Sequence, residues 1–297
     1  MSSVECPALI NISTISGFYS QMSGVLAGFA FTAMVFLLRP ARRTLDGGGK
    51  RRAGGELLAL FAAFVALVIT TLIYSVLAGE TAEEARPRAA TQEIINGVVF
   101  GLAVIMLFQG VTLLMQRSAV DRAVVATARF VTVVVVPTLA FNYVLNGSSD
   151  INAARAAVAR SCHQSLSGMG WVLTTALAVA LAASLIPIAQ RAPWKAYSQQ
   201  LQLIAPIIVL IVSAVAALVS GDITTRTPGF LMSPTAVDVY LLGYFVLLVL
   251  IGLMLSYGDI QRESLGDSTS SMTGAADSGV PHQVHRAVAE NLSTPDE

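Results

Sequence analysis

The chain has 297 residues, 55% of them hydrophobic and only 12% charged, with a mean hydropathy of +0.69. A soluble domain carries about 25% charged residues, so this composition excludes an ordinary soluble globular protein. Its 18 basic and 18 acidic side chains cancel to a formal net charge of zero, so no overall basic charge suggests a nucleic-acid partner.

The apolar residues fall into seven runs, each predicting a transmembrane helix. The first, residues 15–38, has no formal charge and exceeds the roughly 20 residues that cross a hydrocarbon core. Lipid offers the backbone no hydrogen bonds, so a spanning segment must be helical. Ser16, Ser20, Gly24, Gly28 and Thr32 recur every fourth residue and share one helix face. The groove they make suits close packing, either within the chain or with a second copy in a homo-oligomer. Arg39, Arg42, Arg43, Lys50, Arg51 and Arg52 follow in a short loop. Such loops stay in the cytoplasm, so the first helix is expected to run from outside to inside. Because Glu5 precedes the apolar run and the positive charge follows it, the start does not read as a cleaved signal peptide.

The second span, residues 57–78, returns outward to a mixed-charge loop, 79–92, holding Glu80, Glu83, Glu84, Arg86 and Arg88. The third, 94–115, carries Gly97-x-x-x-Gly101 and, further along, Gln109 and Thr112. A short inner loop with Arg117 and Arg122 leads to the fourth, 123–145. There Arg129 is expected to snorkel to the inner interface, and Pro137 to kink the helix. Asn146-Gly147-Ser148 reads as a turn, and Ser149 or Asp150 as the cap of a short external helix reaching Arg160.

The fifth, sixth and seventh spans are residues 169–189, 203–220 and 236–257, with Trp194 suited to an interfacial anchor. From Gly258 the chain turns polar around Ser268-Thr269-Ser270-Ser271, which predicts a disordered cytoplasmic tail, a candidate contact for a protein partner. The expectation is an all-α polytopic membrane protein: an external N-terminus (1–14), a seven-helix domain (15–257) and a cytoplasmic tail (258–297). Lys occurs only at Lys50 and Lys195, whereas Ala, Val and Gly abound. That bias resembles a high-GC bacterial genome and so points to a bacterial cytoplasmic membrane.

Chemistry is sparse. Cys6 and Cys162 both fall on the outer side of this topology and form a disulfide candidate. No predicted span carries Asp, Glu, His or Lys at mid-membrane, which counts against a proton-coupled carrier. The seventh span lacks a lysine for a retinal Schiff base. There is no zinc-protease, phosphate-loop or paired-carboxylate motif, so neither an enzyme, a cofactor nor a metal is expected.

What remains is a gathering of neutral polar side chains in the outer halves of the helices. Ser20, Gln21, Tyr74, Asn96, Asn142, Tyr240 and Tyr244 are the candidate lining of an outward-facing pocket. Amides are costly to leave unpaired in lipid, so Asn96, Gln109 and Asn142 should face protein or water. The pocket points to a transporter or channel component for a neutral or weakly charged solute. A non-transporting sensor or scaffold, acting through the external loop and the tail, is the alternative.

Overall fold

The structure, a computed structural model, describes residues 11–38, 54–118, 120–158, 168–185 and 198–276. Among these there are helices and turns but no strand. They are α1 (Ile12–Leu38), α2 (Gly54–Ala78), α3 (Arg86–Arg117), α4 (Arg122–Phe130), α5 (Val136–Val158), α6 (Gly168–Ser184), α7 (Ser198–Thr225) and α8 (Pro234–Ala276). A 3-10 turn, Glu83–Ala85, precedes α3, and a π-helical turn, Val131–Val135, joins α4 to α5 in one rod.

Among the described residues, six helices are long and apolar enough to cross a membrane, against the seven spans expected. The α6 region supplies only a shorter apolar helix, Gly170–Ser184. This is the make-up of a multi-pass membrane protein. The chain divides into two compact units, Met1–Gly258 and Asp259–Glu297.

Side-chain contacts give the directions of the helices. Ser13 Oγ donates to the Ala78 carbonyl (2.6 Å) and Ser20 Oγ to that of Thr71 (3.2 Å), so α1 and α2 run antiparallel. Gly110 meets Leu60, and Gly97 meets Tyr143, which sets α3 antiparallel to both α2 and α5. Arg129, near the end of α4, bonds to Ser256, well along α8 from its start at Pro234. One end of the bundle therefore gathers the starts of α1, α3 and α8 with the ends of α2, α5 and α7; it is called the first end below.

At the centre stands α3. It is buried on nearly every side, through Ala90, Val99, Leu102, Ala103, Ile105 and Met106 among others. A helix covered all round must let neighbours approach it from several directions, and glycine permits that. A Cβ on Gly97 would lie 2.9 Å from Tyr143 Cε1, and one on Gly101 would lie 2.8 Å from Ala140 Cβ. By contrast α1 is peripheral and presents Phe18, Phe29, Phe31 and Phe36 outward. Its buried stripe is Ile12, Ser16, Ser23, Ala27, Ala30 and Met34. Of the small-residue row, Ser16 is buried, Ser20 bonds α2 and Gly24 faces Thr71, whereas Gly28 meets nothing within 4 Å and Thr32 is exposed. A strict four-residue repeat drifts around a helix of 3.6 residues per turn, so the row leaves the interface halfway down.

Two local expectations need correction. The Asn146-Gly147-Ser148 turn is instead continuous α5, with Gly147 packed beside Ile94 of α3 and the Ser148 and Ser149 hydroxyls bonded back to the Leu145 and Asn146 carbonyls at 2.6 Å. The short external helix is thus the upper part of α5, and the described helix ends at Val158. Arg129, near the end of α4, donates from Nη2 to the Ser256 carbonyl at 2.6 Å. Pro137 does disturb its rod: the π turn lies just before it, where the missing N–H leaves the regular ladder incomplete. Finally, α8 continues to Ala276, past the Gly258 at which the polar tail was expected to begin.

Candidate functional site

Three tyrosines interlock near the first end. The hydroxyls of Tyr74 on α2 and Tyr143 on α5 lie 2.8 Å apart. Tyr19 of α1 stacks on Tyr74, with ring centroids 5.4 Å apart, and sets its edge against Tyr143 at 5.0 Å. Phe100 of α3 closes the group, 5.9 Å from Tyr19 and 6.2 Å from Tyr143. Offset and tilted aromatic pairs at such distances are attractive beyond the area they bury.

Beside these rings α3 presents Glu93, Asn96 and Phe100. They are spaced three and four residues apart and form one row on the helix. Asn96 is 0% exposed, and neither its Nδ2 nor its Oδ1 has a hydrogen-bond partner among the described residues. Glu93 is 6% exposed, and its Oε2 is likewise without a partner there. It lies within electrostatic range of Tyr19, Tyr74, Tyr143 and Asp150. Most buried polar groups in folded proteins are hydrogen-bonded, and each exception calls for an explanation.

The first end is closed by a polar clamp. Arg88 holds both carboxylate oxygens of Glu80, the shorter contact being 2.7 Å. The same guanidinium donates to the Thr224 and Arg226 carbonyls at 3.1 and 2.8 Å. Gln92 Nε2 donates to Thr224 Oγ1 at 2.7 Å, and Arg155 of α5 to the Met232 carbonyl at 2.7 Å. Sequence reading had assigned residues 79–92 to a solvated loop. Instead, α3 begins at Arg86, with Pro87 in its first turn where a missing N–H costs nothing.

The candidate lining residues divide. Tyr74 and Asn96 belong to the buried group just described. Tyr240 and Tyr244 lie at a second contact, between α8 and the α3–α5 pair. There the Tyr240 hydroxyl donates to the Ile95 carbonyl at 3.3 Å, and the Tyr244 ring stacks on Phe141 at 6.0 Å. The Tyr244 hydroxyl is buried without a partner among the described residues, hard against Gly101. Asn142 is half-buried and accepts a long bond, 3.4 Å, from Asn146. Ser20 sits in the α1–α2 seam, 2.7 Å from Ser75, and Gln21 faces outward. Gln109 is buried, and Thr112 pairs with Thr132 at 2.9 Å.

Glu93 is the residue that sequence reading missed. It stands one position before the apolar run that begins at Ile94 and one after the loop that ends at Gln92, so the pattern assigns it to neither. The row Glu93, Gly97 and Gly101, four apart, was the signal that it shares the packed face of α3. The two cysteines of the expected disulfide, Cys6 and Cys162, both lie outside the described residues. Among the described residues there is also no group of three His, Cys, Asp or Glu suited to a metal. Comparison with protein-family models, characterised proteins and solved structures finds no match, so the site is read on its own geometry.

Proposed function

We propose that this is a multi-pass protein of a bacterial cytoplasmic membrane, N-terminus outside and C-terminus cytoplasmic, that carries or conducts a small, neutral or weakly charged solute. The site is the buried polar row of α3 with the tyrosines of α1, α2 and α5. One observation carries the reading: Asn96 is wholly enclosed, yet both ends of its amide are unengaged. An amide stranded in an apolar interior costs roughly 1–3 kcal/mol. Leaving such a group open is expected where a ligand or its water completes the bonding. Tyr74 and Asn96 are both fully covered, so entry requires the first end of the bundle to open, as in carriers that alternate between closed and open forms.

Labelling of cysteines by an impermeant thiol reagent tests this, in a chain whose Cys6 and Cys162 are changed to Ser. Thr81→Cys at the exposed first end should label from outside, and Ser118→Cys at the other end should not. Asn96→Cys should label from outside, more slowly than Thr81→Cys. An inert Asn96→Cys beside a reactive Thr81→Cys would overturn the solute pathway, and reversed labelling of Thr81→Cys and Ser118→Cys would overturn the orientation.

A second reading, a sensor or scaffold, is favoured by the separate compact unit 259–297 at the C-terminus. In that case the polar row is a fixed structural feature, and Asn96→Cys stays unlabelled.

A further inference from the structure

The unengaged groups of the α3 row are two oxygens and one amide donor, Asn96 Nδ2. Glu93 Oε2 and Asn96 Oδ1 are both acceptors. Asp150, the other carboxyl within range of Glu93, is half-buried. Three arginines of this end are engaged elsewhere: Arg88 by Glu80 and two carbonyls, Arg155 by Asn152 and the Met232 carbonyl, Arg226 by Asp222. A fourth, Arg86, stands two helical turns before Glu93 at the start of α3, and the charge that acts on Glu93 is that of Asp150. A covered carboxyl without a cation is costly, and a positive charge brought to it removes that cost. Tyr19 and Tyr143, both within electrostatic range of Glu93, form with Phe100, two turns further along α3, a triangle of mutually contacting rings. Ring faces attract organic cations.

We propose that the row Glu93–Asn96–Phe100 recognises the ammonium head of a small amine solute. Its N–H groups donate to Glu93 Oε2 and Asn96 Oδ1, and the Tyr19, Phe100 and Tyr143 rings border the charge. The Asn96 Nδ2 donor is left for an acceptor, such as a hydroxyl, on the rest of the solute. A bare metal ion fits worse, because hard cations take about six or more oxygen ligands and few oxygens are open here. This inference rests on the solute-pathway reading above and names its substrate class.

The test is thermal unfolding of the purified full-length protein in detergent, at constant ionic strength, with methylammonium, ethanolamine, tetramethylammonium, sodium or potassium chloride. Methylammonium and ethanolamine should raise the melting temperature saturably, ethanolamine at lower concentration because its hydroxyl can engage Asn96. Tetramethylammonium, without N–H donors, should act weakly. Glu93→Gln, nearly isosteric, should raise the half-saturating amine concentration by at least about tenfold, and Asn96→Leu should abolish the advantage of ethanolamine over methylammonium. Equal shifts from sodium or potassium, or a wild-type response in Glu93→Gln, would overturn the amine class. So would silence from every amine in a protein whose Asn96→Cys variant labels from outside. Failure of that labelling overturns the parent reading instead.

Discussion

The Tyr74 and Tyr143 hydroxyls lie 2.8 Å apart and tie α2 to α5 across the central helix α3. Each is largely covered, so removing one leaves the other without its partner. An unsatisfied buried group costs about 1–3 kcal/mol. Tyr74→Phe and Tyr143→Phe should each destabilise by that amount, and the double variant by clearly less than the sum. Chemical or thermal unfolding in detergent, arranged as a double-mutant cycle, should give a coupling of roughly 0.5–3 kcal/mol. Additive losses would mean that the hydroxyls act independently.

Two glycines at different places should behave oppositely. A Cβ on Gly101 would press on Ala140 Cβ at 2.8 Å and on the Tyr244 hydroxyl at 2.5 Å. Neither Ala140 nor the buried Tyr244 ring can step aside freely, so Gly101→Ala should cost about 1–3 kcal/mol by overpacking. Gly28 has open space around it, and Gly28→Ala should be neutral or gain up to about 1 kcal/mol of helix propensity. Melting temperatures of the two variants decide this. If Gly28→Leu, which is bulkier, changes the oligomeric state in detergent while the monomer stays stable, the open face of α1 meets a second copy.

Arg88 binds Glu80 with two nitrogens and caps the end of α7 with the third. Arg88 and Glu80 side chains are only 15% and 12% exposed, so the pair is little screened by solvent. Arg88→Leu should destabilise by roughly 1.5–3 kcal/mol. Arg88→Lys should rescue little, because a point ammonium cannot reproduce the planar fork. Full rescue by lysine, read from melting temperature, would show that only the charge matters.

Removing residues 259–297 takes away one of the two compact units and leaves the other, Met1–Gly258, whole. The truncated chain should keep the melting temperature of the bundle and its response to amines. Loss of the amine response with an intact bundle would mean that the site needs residues 259–297 to bind.

The positions of the helices were legible in the sequence because uninterrupted apolar runs have few other uses at such lengths. Their ends were not. Arg86, Arg88 and Gln92 look like a solvated loop with Glu93 at its border, yet Arg88 and Gln92 bond to α7 and Glu93 is covered. Gly147 looks like a turn residue when read beside Asn146 and Ser148, and only its closeness to Ile94 reveals a packing role. The candidate site was half legible. Amides in an apolar segment announce themselves, so Asn96 was found. Tyr240 and Tyr244 were grouped with Tyr74 because depth along a helix can be read from sequence, whereas the neighbour a face meets cannot.

The wide turn at Val131–Val135 gives the fourth rod a particular mechanical property. A π turn holds one residue more than an α turn would, and one residue is about 100° of winding. Rewinding it to regular helix would swing Arg129 off the Ser256 carbonyl while Tyr143, on the other side of the turn, stays seated at Gly97. Turning one half of this rod by that angle against the other would therefore break a contact at one end of the bundle and spare the contact at the other.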